Sequence, residues 1–124
     1  VESSPVSMKK LINVCEKRPN IIPILNDAFH PDRYASIVPS VDLIYQDISQ
    51  RNQAEIFAEN IKKYLKEKGI GIIMVKARSI NVAMKPKIAY EKVCNYLKEN
   101  SLKIKQVFEL EPYEKDHAVI IISK

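Results

Sequence analysis

Only two glycines, Gly69 and Gly71, occur in the 124 residues, and they stand two apart in one segment. Phosphate and dinucleotide cradles need several glycines at fixed spacing around a tight turn. No GxGxxG or P-loop arrangement exists, which excludes a glycine-built cofactor cradle within these residues. Tryptophan is absent and there are two cysteines, Cys15 and Cys94, without metal-ligand spacing. The cysteines therefore read as reduced, partly buried thiols of a cytosolic protein, not as a disulfide framework or a zinc site. No apolar run approaches the roughly 20 residues that span a bilayer. Val1-Glu2-Ser3-Ser4-Pro5 has no basic stretch followed by an apolar one, so no signal peptide is expected.

The rest is ordinary globular material, with 46% hydrophobic and 28% charged residues. The net charge of +5 is unevenly spread: residues 60–105 carry twelve Lys and Arg against three acids. Such asymmetry favours a polyanionic partner, although a lysine-rich helix face is also a common way of staying solvated.

Periodicity gives the order of elements. Met8, Leu11, Ile12 and Cys15 recur at helical spacing after Pro5, which predicts a helix over 5–18. Asn20 to Leu25 is a short apolar run, expected as a strand, and Pro23 favours a sheet edge or a strand end because proline cannot donate to a ladder. A helical turn is expected after His30-Pro31. A strand over 41–46 precedes a helical stripe of Ala54, Phe57, Ala58, Ile61, Tyr64 and Leu65. Gly69-Ile70-Gly71 opens a strand that ends at Lys76. A helix over 86–100 buries Ala89, Tyr90, Val93 and Leu97. Strands over 102–110 and 117–123 are separated by too few residues for a parallel crossover, so they pair antiparallel. The class is α/β and layered.

Four segments then take on a collective meaning. They are Asn20-Ile21-Ile22-Pro23-Ile24-Leu25-Asn26-Asp27-Ala28, Val41-Asp42-Leu43-Ile44-Tyr45-Gln46-Asp47-Ile48-Ser49-Gln50, Ile73-Met74-Val75-Lys76-Ala77-Arg78-Ser79-Ile80 and Leu110-Glu111-Pro112-Tyr113-Glu114-Lys115-Asp116-His117-Ala118-Val119. In this order and spacing the whole chain resembles the carboxy-terminal part of fibrillarin-type RNA 2′-O-methyltransferases, archaeal-like in pattern. The resemblance implies a class I S-adenosylmethionine-dependent methyltransferase sheet, Rossmann-like, of strand order 3-2-1-4-5-7-6 with a terminal antiparallel pair. It also implies that residues 1–124 are a methyltransferase domain without the family's amino-terminal domain, glycine-rich loop and first strands. Made alone, these residues are then expected to be poorly soluble or partly unfolded, and not to bind the cofactor measurably.

Site residues follow from the same resemblance. Glu2 matches an acid at the end of the second strand, where a carboxylate accepts from the cofactor's ribose hydroxyls; otherwise it is a surface glutamate. Asp27 and Ala28 match residues beside the adenine, with Asn26 in place of the usual glycine and able to take a positive φ if one is needed; otherwise Asp27 is a turn residue. Asp47 matches a catalytic aspartate beside the methyl donor, placed to orient the target ribose and to pair with a lysine, and Gln50 a glutamine close to the cofactor. Asp47 would alternatively cap the following helix. Lys76 matches a catalytic lysine, suited to take the proton of the ribose 2′-OH or to stabilise the alkoxide as it develops; otherwise it snorkels to solvent. His117 matches a histidine near the target nucleotide; a lone histidine at a strand start is otherwise structural. Ser3, Ser49 and Arg51 depart from the family pattern, Ser3 at a position where an aromatic commonly packs on the adenine. No metal is implied.

By resemblance the partners are C/D-box guide RNA and target RNA, a Nop-domain scaffold protein and a kink-turn-binding ribosomal-type protein. The location would be cytoplasmic in an archaeal-like chain and nucleolar in a eukaryotic one. The reaction implied is guide-directed 2′-O-methylation of rRNA and tRNA. A non-catalytic RNA- or protein-binding module that keeps the fold is the alternative, and a small-molecule methyltransferase a third.

Overall fold

The computed structural model describes residues 1–124, which form two compact units, Val1–Pro39 and Ser40–Lys124. In the first unit, helix α1 spans Pro5–Cys15. Ser4 caps it by accepting from the Ser7 N–H at 3.3 Å, and Pro5 sits at its first turn, where a missing N–H costs nothing. A 3₁₀ turn follows at Pro31–Tyr34.

The expected strand over Asn20–Leu25 does not form. Its segment is extended, but it makes a single parallel bridge, Leu25 to Glu2. The Glu2 N–H donates to the Ile24 carbonyl at 2.9 Å, and the Asn26 N–H donates to the Glu2 carbonyl at 3.1 Å. A ladder needs a partner running alongside, and Glu2 lies only three residues before Pro5, where the chain turns into α1. Apolar character alone therefore predicted more pairing than this unit supplies.

The second unit is a four-stranded sheet with helices on one face. Strand β1 spans Val41–Asp47, α2 Gln53–Tyr64, β2 Leu65–Lys76, α3 Ala77–Ile80, α4 Pro86–Glu99, β3 Lys103–Glu109 and β4 His117–Ser123. The sheet order is β1-β2-β4-β3. β1 and β2 are parallel, whereas β4 runs antiparallel to both β2 and β3. This is the strand arrangement expected for the last four strands. Continuous pairing of β2 with β1 begins at Ile70, where the strand was expected; the shift before it falls beside Lys68, which has φ of 66°. The helix over Ala77–Ile80 was not anticipated, being too short to show a period.

The core lies under one face of this sheet. Along β4 the residues alternate, and Ala118, Ile120 and Ile122 are fully buried. On β2, Ile73 and Val75 point the same way, toward Phe57 and Ile61 of α2 and Val93 and Leu97 of α4. Each such side chain contributes about 1.5–3 kcal/mol when taken out of water. Gly71 explains one of the two glycines. A Cβ there would stand 2.6 Å from Ile61 Cδ1 and 2.8 Å from both Phe57 Cζ and Ile122 Cδ1. Its absence lets α2 settle onto β2. No helix is long and apolar enough to cross a membrane.

Candidate functional site

The opposite face of the same strands carries the polar side chains that the resemblance singles out. Period-two alternation puts Met74 and Lys76 on the face that Ile73 and Val75 leave. Asp47 is in register with Met74, and Lys76 with His117, so Asp47, Lys76 and His117 share that face. They line one open recess of about 560 Å³, together with Ser49, Met74, Leu110 and Glu114. Three residues separated by up to 70 positions are thus brought to the carboxyl end of the parallel strands, where open α/β sheets place their ligands.

Asp47 ends β1 and is exposed. It does not cap α2: the cap position is Asn52, which makes no side-chain bond. Nor is it paired with Lys76. The register shows why. Lys76 lies two residues beyond Asp47's partner Met74, a diagonal of about 8 Å between backbones by strand spacing and rise.

His117 opens β4 with its side chain 13% exposed. Its Nδ1 is 2.7 Å from the Lys115 carbonyl and 3.6 Å from Glu114 Oε1. A carbonyl can only accept, so Nδ1 carries the proton and Nε2 is left as an acceptor in the neutral ring. The turn before it is shaped by Asp116, at φ of 58°, a left-handed conformation that Asp tolerates better than most residues. Asp116 also receives the Arg78 guanidinium at 2.8 Å and the Ala77 N–H at 3.0 Å. Arg78 in turn donates to the Val82 carbonyl at 3.0 Å. This clasp ties the segment after Lys76 to the segment before His117.

In the first unit the Glu2–Leu25 bridge draws Glu2 beside Asn26-Asp27-Ala28. Glu2 Oε1 accepts from the Ser4 N–H at 2.7 Å, leaving Oε2 without a protein partner. Asp27 Oδ1 accepts from the Phe29 N–H at 2.9 Å, and Oδ2 is 4.0 Å from His30 Nε2. Asn26 does not take a positive φ; its side-chain oxygen instead accepts from the Asp27 N–H at 2.9 Å. Ala28 offers its carbonyl to the Tyr34 hydroxyl at 3.4 Å.

Sequence reasoning missed two parts of the second unit. One is Gln53, fully buried at the start of α2, with Gln46 beside it. The signal was present: 53, 57 and 61 follow the i, i+4 spacing of the buried stripe. The other is a basic recess of about 520 Å³ that includes Arg51, Arg78 and Lys92. No group of three or more His, Cys, Asp or Glu side chains is placed to share a metal ion.

Comparison with known proteins gives a consistent picture. The sequence model of the family described as Fibrillarin matches residues 1–124. Over 121 residues the chain is 47% identical to a fibrillarin-like rRNA/tRNA 2′-O-methyltransferase of Methanopyrus kandleri, covering 98% of this chain and 52% of that protein. A fibrillarin solved in complex with Nop5p is 45% identical, with a TM-score of 0.91, over 99% of this chain and 58% of the other. Aeropyrum pernix fibrillarin, solved with natively bound S-adenosyl-L-methionine, is 38% identical with a TM-score of 0.85, over 96% and 52%. The chain spans about half the length of the relatives it matches.

Proposed function

Because the chain belongs to the fibrillarin family, we propose that it forms the carboxy-terminal part of the catalytic domain of an S-adenosylmethionine-dependent methyltransferase. The reaction is transfer of a methyl group to the 2′-OH of ribose in rRNA and tRNA, directed by C/D-box guide RNA. The observation that carries this reading is the recess that Asp47, Lys76 and His117 line together.

Taken unit by unit, the side chains suit the parts of the cofactor that the resemblance gives them. Glu2, with an unengaged Oε2, suits the ribose hydroxyls, and Asp27 with the Ala28 backbone suits the adenine. Asp47 and Gln50 belong at the methyl-donor end. When bound, S-adenosylmethionine supplies an electrophilic methyl on a sulfonium. The protein then has to orient a ribose hydroxyl and manage its proton. Asp47, exposed and unpaired, accepts a hydrogen bond from the ribose. Lys76 takes the 2′-OH proton or stabilises negative charge as it develops on the 2′ oxygen, the two roles the resemblance gives it. His117, with Nδ1–H given to Lys115, offers Nε2 as an acceptor at the nucleotide.

Arg51, Arg78 and Lys92 around the basic recess suit RNA phosphate. A Nop-domain scaffold protein and a kink-turn-binding protein complete the assembly in this reading, and sequence choice comes from guide pairing. A non-catalytic binding module is the competing reading, drawn from the fact that both glycines stand in β2 and none forms a cofactor loop.

The test is methyl transfer by the full-length polypeptide from labelled S-adenosylmethionine to a target RNA, with matched and mismatched C/D-box guides. Guide-dependent label at a ribose 2′ oxygen is expected. Cofactor binding without transfer would favour the binding module, and transfer to small acceptors alone would overturn the RNA assignment.

A further inference from the structure

Gln53 is a polar side chain with no exposure to solvent. A buried amide persists where its hydrogen bonds are made, and those of Gln53 are made with a particular set of partners. Its Oε1 accepts from the Lys76 N–H at 3.0 Å. Its Nε2 donates to the Gln50 carbonyl at 2.9 Å and to the Lys76 carbonyl at 3.3 Å. Its own backbone carbonyl accepts from Gln46 Nε2 at 2.7 Å.

Strand lengths explain why the amide is needed there. β1 ends at Asp47, opposite Met74, but β2 runs on to Lys76. On the β1 side the N–H and C=O of Lys76 therefore have no strand to meet. The Gln53 amide supplies one acceptor and one donor to that residue, as a peptide group of a longer β1 would. It also reaches the loop carbonyl of Gln50, and through Gln46 it reaches the residue next to Asp47. Gln53 does not line the recess of Lys76 and His117, so it touches none of the reacting atoms.

We propose that Gln53, held by Gln46, is a positioning residue for methyl transfer: it fixes Lys76, the Gln50 loop and the Asp47 end of β1 relative to one another. This rests on the methyltransferase reading above. The apolar stripe of α2 would accept methionine at this point with little change of volume. Methionine would leave the Lys76 N–H unbonded and free the strand end that carries the lysine.

The experiment uses the full-length polypeptide with guide and target RNA. In Gln53→Met the single-turnover rate is expected to fall by roughly 10²-fold, the cost of a small misplacement of a reacting group, with KM for RNA within about twofold. Lys76→Ala combined with Gln53→Met should lose clearly less than the product of the two single losses, because part of what Gln53 does passes through the lysine. Amide exchange at Lys76 should rise more than tenfold while Ile73 and Ala118 stay protected. Gln46→Met, a milder change, should give the same pattern at smaller amplitude and decides the matter if Gln53→Met does not fold. A normal rate, additive losses in the double variant, or an unchanged Lys76 amide would overturn the proposal. If the unmodified polypeptide transfers no methyl group, the proposed function falls, and exchange at Lys76 still decides whether Gln53 holds the strand end.

Discussion

Lys76 and His117 stand directly opposite each other across β2 and β4, at a position where the two backbones exchange no hydrogen bonds. The bond that brackets the pair runs one residue away, from the Ala77 N–H to the Asp116 carbonyl. At such positions the backbones approach to about 4.5 Å and the two side chains leave the same face. Ladder geometry, not a loop, therefore sets the spacing between the ammonium and the imidazole.

Lys76→Ala removes the cation that is proposed to meet the developing charge. Methyl transfer should fall by at least roughly 10²-fold, in the range seen when one transition-state donor is lost. Affinity for S-adenosylmethionine should change little, since Lys76 is not among the residues assigned to hold the cofactor. Single-turnover assays with guided RNA and calorimetric titration of the cofactor, both on the full-length polypeptide, measure the two quantities. Near-normal turnover would remove Lys76 from the mechanism.

Gly71→Ala should destabilise the sheet unit. The new methyl meets the ends of Ile61, Phe57 and Ile122, each within 2.6–2.8 Å, and all three are fully buried. Overpacking of this kind costs about 1–3 kcal/mol. Chemical denaturation should show a lower midpoint with an unchanged slope. An unaltered midpoint would mean that α2 rides freely on β2.

Alkaline pH should expose a burden carried by Tyr90. Burial pushes its phenol above the ordinary value of about 10, with Asp116, Glu109 and Glu111 adding to the shift. A group whose folded value is raised keeps its proton in the native state after the unfolded chain has released it. Stability from Tyr90 is therefore intact below about pH 10 and is lost as pH rises through the folded value. Tyr90→Phe should flatten the fall of Tm above about pH 10. Parallel curves for the two proteins would place the alkaline loss elsewhere.

Residues 1–124 expressed alone should bind no measurable S-adenosylmethionine. Both glycines lie in β2, and neither has a positive φ. No glycine turn is available to approach the methionine end of the cofactor. Titration calorimetry on this polypeptide checks the point, and micromolar binding would show that Glu2, Asp27 and Asp47 suffice.

Much of the sheet unit could be read from periodicity. The stripe of Phe57, Ile61 and Tyr64 and the alternation of Ala118, Ile120 and Ile122 each specify a face, and the faces agree. Asn20–Leu25 misled because an apolar run reports burial or extension, not the presence of a neighbour. The likeness of Lys76 and His117 to a catalytic pair was visible in sequence, but their registration across two strands was not, because pairing is a tertiary fact. Gln53 escaped because polar residues are read as surface, although its position on the α2 stripe marked it as inward-facing.

The strand order β1-β2-β4-β3 also governs how the unit can be made. β3 precedes β4 along the chain, yet β4 lies between β3 and β2. As synthesis proceeds from the amino end, β3 emerges with no place to dock, and one long side of β2 waits with its backbone groups unpaired. An open side of this kind invites pairing with other chains. Arrival of the segment from His117 to Ser123 seats both at once: it fills the slot beside β2 and brings β3 with it. The nascent polypeptide therefore passes through an association-prone stage just before the imidazole meets the lysine.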